Sequence, residues 1–175
     1  MKYTFCALAL LTLPACMGGG GGADVTMNLT PDRPDAPMNA SFGSLMNGVR
    51  MGIDPGLAPL TYDSRVGQAA QNHANDMFTR DYDSIFIPGT DNGSGAEQDI
   101  GDRVTAQGYR WDDIAQLIDK GERSLGDQVD AFSTELCDAD GTTCFERPNF
   151  VDFGLAKAGS GADQRWVLIL TEPTL

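Results

Sequence analysis

The chain has 175 residues, 41% of them hydrophobic and 21% charged, which fits one globular domain with tails. Twelve Lys and Arg against 25 Asp and Glu give a formal charge of −13, a field that repels nucleic-acid phosphate and anionic lipid surfaces. Composition thus argues against a nucleic-acid partner and for a solvated acidic exterior.

Residues 1–15 read as an export signal, with Lys2 at the start, an apolar run from Tyr3 to Leu13 and small residues leading to Cys16. The run is too short to span a bilayer as a helix. Its ending, Leu13-Pro14-Ala15-Cys16, resembles a bacterial lipobox, with Pro14 where a small residue is usual. The expectation is lipidation of Cys16 and attachment to a membrane through that lipid. Met17 after the cysteine, in place of aspartate, favours the outer membrane by the same resemblance, facing the periplasm or the cell surface. A plain signal peptide cut after Ala15 or Gly18 is the alternative. Residues 16–40, rich in Gly and Pro, read as a tether that behaves as a coil about 25 to 30 Å from end to end.

The folded part is expected over residues 41–175. Phe42, Leu45, Met46 and Val49 fall at helical spacing, before breakers at Gly52, Pro55 and Gly56. A second helix follows a cap at Asp63 or Ser64, with Val66, Ala69, Ala70, His73, Ala74 and Met77 on one face. That face turns His73, the one histidine of the chain, towards the core, and the natural role for it is a buried, hydrogen-bonded packing residue. Residues 81–99 form a polar, glycine-rich loop. Asp102 is expected to cap a short helix that ends at Gly108, and residues 114–118 suit a strand. Leu125, Val129 and Phe132 mark a further helix face. Residues 150–159 and 165–170, separated by a glycine turn, read as an antiparallel hairpin. Helices followed by a hairpin define an α+β fold.

Cysteine arithmetic leaves Cys137 and Cys144 as a pair, since Cys6 departs with the signal and Cys16 carries lipid. In an oxidising compartment they form a disulfide around a short loop, a gain of about 2 kcal/mol. A zinc site made of these two thiolates lacks other soft ligands nearby. Two oxygen-rich sets suggest calcium only superficially. Asp138, Asp140 and Glu146 fail the EF-hand pattern because its twelfth position is Arg147, and Asp91, Asn92, Glu97 and Asp99 are better read as a solvated loop.

The blocks LMNGVR, GLAPLTYDSRVGQAAQNHANDMFTRDY, GDRVTAQGYRW, NFVDFGLAKAG and RWVLIL, in that order and spacing, resemble the bacterial branch of the CAP superfamily. These are the SCP-like extracellular domains related to cysteine-rich secretory, antigen 5 and pathogenesis-related proteins. The resemblance covers roughly residues 41 to 171 and implies a three-layer α-β-α sandwich, with helices flanking a small antiparallel sheet. It also implies a groove that in many members carries two histidines and one or two glutamates able to hold a divalent ion. Carried over by position, that site is degenerate here. Ile85 stands where one histidine is expected, Gln116 where a glutamate is expected, and the second histidine falls between Asp138 and Gly141, where none is present. An amide and an isoleucine are poor ligands for zinc, so no metal and no cofactor are expected.

No serine sits in a nucleophile elbow, and no nucleophile is evident for His73 to activate. The reading that follows is a non-catalytic, lipid-anchored envelope protein that acts by binding a lipid, another small apolar ligand or a protein partner. Relatives of this kind include binders of sterols and fatty acids. Two alternatives remain, a metal-dependent hydrolase of protease type and a purely structural envelope protein.

Overall fold

A computed structural model describes residues 34–87, 99–137 and 139–175. The export signal, the lipobox with Cys16 and most of the tether lie outside the described residues, as do Asp91, Asn92, Glu97 and Asp138.

Helix α1 spans Ala36–Ile53, so it begins inside the stretch read as tether. The physical reason is local. Asp35 adopts extended backbone and its carboxylate accepts from the Met38 amide at 3.0 Å, while Pro37 sits in the first turn, where its missing N–H costs nothing. After strand β1, Thr61–Tyr62, helix α2 runs Ser64–Arg80 and is capped by Asp63. All six residues of its predicted apolar face are buried. Helix α3, Ile100–Ala106, is capped by Asp99 instead of Asp102: the Asp99 carboxylate accepts from the Asp102 amide, so the helix starts earlier than the sequence suggested. Strand β2 spans Trp111–Lys120, and helix α4, Leu125–Ser133, follows its Ser124 cap. The hairpin is present as β3, Asp152–Ala158, and β4, Arg165–Pro173, joined through Gly159 and Gly161, both at positive φ.

The four strands lie in the order β1-β3-β4-β2. Three are antiparallel, as expected, but β1 runs parallel to β3, which makes the sheet mixed. Alternation along β4 feeds two cores. Trp166, Leu168 and Leu170 join Phe42, Met46, Val129 and Phe132 of α1 and α4 on one face. Val167 and Ile169 meet Val66, Ala70, Met77 and Val104 of α2 and α3 on the other. The result is an α-β-α sandwich.

The outer edge of β3 is covered by side chains from both helix layers. Strand β1 pairs with only the first two residues of β3. Beyond it the Asn39 carboxamide exchanges hydrogen bonds with both the N–H and the carbonyl of Leu155, at 2.9 and 3.0 Å, as a strand neighbour does. Gln71 then donates to the Lys157 carbonyl at 3.1 Å. Asn47 makes the same two-way exchange with Leu60 where the chain enters β1.

Cys137 and Cys144 are joined, and the loop they close is also held by backbone bonds from Cys137 to Thr142 and from Cys144 to Glu135. Arg50, buried in α1, donates to the carbonyls of Phe145 and Ala58 and so ties this loop to the first core.

The layer of α2 depends on glycine. A Cβ on Gly154 of β3 would stand 2.2 Å from the Gly67 nitrogen and 2.4 Å from the Val66 carbonyl carbon. Backbone atoms cannot give way as a flexible side chain does, so Gly154→Ala is expected to lose about 3 kcal/mol in urea unfolding. Gly48→Ala, in open space on the exposed side of α1, should be neutral or gain up to about 1 kcal/mol. Equal losses for the two would contradict this assignment.

Candidate functional site

The segment after α2 carries the position where the resemblance expects a histidine, and three buried side chains hold it. Arg165 of β4, 1% exposed, pairs with Asp81 at 2.8 Å and Asp83 at 2.6 Å. His73 of α2 reaches the Ser84 carbonyl from Nε2 at 2.9 Å. Arg103 of α3 donates from Nη2 to the Ile85 carbonyl at 2.9 Å and also to Gln116 Oε1 of β2. Ile85 and Gln116 therefore do come together, although through a guanidinium and not through their own side chains. The Ile85 side chain is 43% exposed.

Gly141 does not join them. It sits at φ +90 in the disulfide loop, whose Cys144 and Phe145 are part of the α1/α4 core. Gln116 shares a face of β2 with Ile114 and Ile118, which pack on the α2/α3 side of the sheet. The calcium-like oxygens are spent locally as well: Asp140 accepts from the Thr142 amide, and Glu146 accepts from the Thr143 amide. Among the described residues no three His, Cys, Asp or Glu side chains group as a metal site would require.

The donors that are present do not suit a divalent ion. A carbonyl oxygen can only accept, so the bond to Ser84 fixes a proton on His73 Nε2 and turns that nitrogen away from ligation. Both the Ile85 carbonyl and Gln116 Oε1 already accept from Arg103, and a guanidinium repels a second cation.

Around Arg103 lies a polar cluster. Asp76 accepts from Arg80 and from the Tyr82 hydroxyl, and the Tyr82 and His73 rings meet edge to face. Burial tends to raise the Asp76 carboxyl, but the Arg80 and Tyr82 hydrogen bonds outweigh it and hold the group below the ordinary carboxylate range. Burial, reinforced by Asp76, pushes the Tyr82 phenol up. Asn72, Asp76, Ile87, Arg103 and Gln107 face a polar cleft of about 220 Å³. His73 Nδ1 is buried and has no hydrogen-bond partner among the described residues.

A second cleft, of about 360 Å³, runs between α1 and the β1 edge. Ala40, Gly43, Leu60, Tyr62 and Phe153 give it an apolar lining, and the missing side chain at Gly43 makes room for the Phe153 ring.

The sequence pointed to Ile85, Gln116 and His73 but not to Arg103, which bonds to the first two. In the structure Arg103 is buried on α3 together with Gly101 and Val104, which spacing alone does not signal for an arginine.

The cysteine-rich secretory protein family, CAP, matches residues 44–170, and the chain belongs to it. Among solved structures it is similar to an outer surface protein from Borrelia burgdorferi, at a TM-score of 0.62 and 11% identity over 79% of this chain and 95% of that one. It is also similar to an extracellular SCP-domain protein from Bacillus anthracis, at a TM-score of 0.57 and 17% identity. There the match covers 76% of this chain and only 39% of the other. These likenesses bear on the fold. No curated protein matches the sequence.

His73 makes the fold pH-dependent. Burial first, then the Arg103 charge, lowers its pKa from 6.5 to about 4. Between those values the unfolded chain binds a proton that the folded chain refuses, so stability falls as pH drops through the window. The loss amounts to about 3 kcal/mol once pH is below the folded pKa. Urea unfolding of the wild type and His73→Gln at pH 7 and pH 4.5 measures it. The variant, lacking this proton, should lose less stability over the interval, and parallel losses would remove His73 as the cause.

Proposed function

We propose that this CAP domain is exported, anchored to the cell envelope through lipid at Cys16, and acts without catalysis by binding a lipid or other small apolar molecule in the groove between α1 and β1. The observation that carries the reading is that groove. It is lined mainly by carbon, its volume of about 360 Å³ lies within the range of small-molecule sites, and its floor is the Phe153 ring set beneath Gly43. The polar cleft beside Arg103 offers no such lining.

Export is supported by the leader sequence and by the descriptions of two structural neighbours, one an outer surface protein and the other extracellular. Among the described residues no helix is long and apolar enough to cross a membrane, so lipid at Cys16 supplies the attachment in this reading. A metal-dependent hydrolase is disfavoured because Arg103 occupies the oxygens at the family positions and His73 is turned to Ser84.

Native mass spectrometry of the exported chain, purified without chelator and never denatured, tests the binding role. The wild type should retain a mass matching one lipid. Ala40→Trp, which fills the groove from an exposed helix position, should reduce the retained fraction about tenfold, a cost near 1.4 kcal/mol, with unfolding unchanged. A bare wild-type mass, or a ligand retained equally by both chains, would remove the groove as the binding site.

A further inference from the structure

The place where the family resemblance implies a metal ion is not simply vacant of ligands, because it contains a positive charge of its own. Arg103 is 5% exposed and projects from α3, a helix that packs on β2. A single nitrogen of its guanidinium, Nη2, meets an oxygen of the 81–87 segment and an oxygen of β2, the two chain segments that carry Ile85 and Gln116. Burial works against the charge on Arg103 and lowers its pKa, and Tyr82, Asp99, Asp102 and Asp76 offset part of that effect. Oxygen acceptors are also what a divalent ion seeks, and here the guanidinium takes both of them.

We propose that Arg103 is the built-in cation of this groove: its guanidinium bridges the Ile85 carbonyl to Gln116, cross-linking α3, the 81–87 segment and β2, and makes the groove independent of divalent metal. Gln116 meets the guanidinium through Oε1, while its Nε2 is buried without a hydrogen-bond partner among the described residues. It presents a neutral oxygen to the guanidinium, where a carboxylate would form an ion pair. The inference stands apart from the lipid-binding reading, which concerns a different groove on the α1 side of β1.

The test compares thermal unfolding of the full chain in EDTA and in about 1 mM ZnCl2 or MnCl2, for the wild type, Gln116→Ala, Gln116→Glu and Arg103→Met. The wild-type midpoint should move by no more than about 1 °C between conditions. Gln116→Glu should unfold about 3 °C higher, because its carboxylate pairs with the guanidinium, and should stay indifferent to metal. Arg103→Met should unfold about 5 °C or more below the wild type. A metal-induced rise that Gln116→Ala abolishes overturns the proposal. A rise that Gln116→Ala leaves intact arises elsewhere on an acidic surface and agrees with it. Should Arg103→Met fail to fold, Gln116→Glu decides alone: a midpoint equal to or below the wild type, or a new response to metal, overturns the bridge.

Discussion

The contact of bare backbone between α2 and β3 is the constraint on which the rest of this molecule depends. A Cβ on Gly154 would strike the backbone of Val66 and Gly67, and one on Gly67 would strike the Tyr62 ring and hydroxyl from the β1 side. This close approach fixes the height and rotation of α2 over the sheet. Once they are fixed, His73 reaches Ser84, Gln71 reaches the edge of β3, and Asp76 stands beside Arg80 and Tyr82. The polar groove is therefore a consequence of helix docking, and its geometry is set by packing before any charge is considered.

Among the described residues three arginines are buried: Arg50, Arg103 and Arg165. Each ties a loop to a secondary-structure element through backbone carbonyls, and Arg165 adds Asp81 and Asp83. Arginine is suited to this because its planar fork satisfies several acceptors at once and its charge persists on burial. The exterior is correspondingly more acidic than the overall charge of −13 suggests. Such an exterior repels anionic molecules and anionic surfaces.

Much of this architecture was legible in the sequence where periodicity is strong. The apolar face of α2, the β3–β4 hairpin and the cysteine pair are all found where residue spacing placed them. Misplaced features had weak or competing signals. Asp35 and Pro37 begin α1 inside a stretch whose Pro and Gly content reads as tether, and Asp99 and Asp102 are equally good caps three residues apart. Strand β1 has two residues, too few for any alternation to register. Ile85 and Gln116 were found by resemblance, whereas the role of Arg103 was hidden because arginine is ordinarily exposed and only the tertiary arrangement brings two carbonyl oxygens to it. The edge-covering amides Asn39, Asn47 and Gln71 were hidden for the same reason.

A groove organised by a guanidinium and one organised by a metal ion differ in a way that diffraction resolves. The most direct measurement is a crystal structure of the chain grown in millimolar manganese, with anomalous difference maps collected at the metal edge. The account predicts guanidinium density from Arg103 between the Ile85 carbonyl and Gln116, with no anomalous peak there. An anomalous peak at that position, with Arg103 swung away from it, would contradict the account.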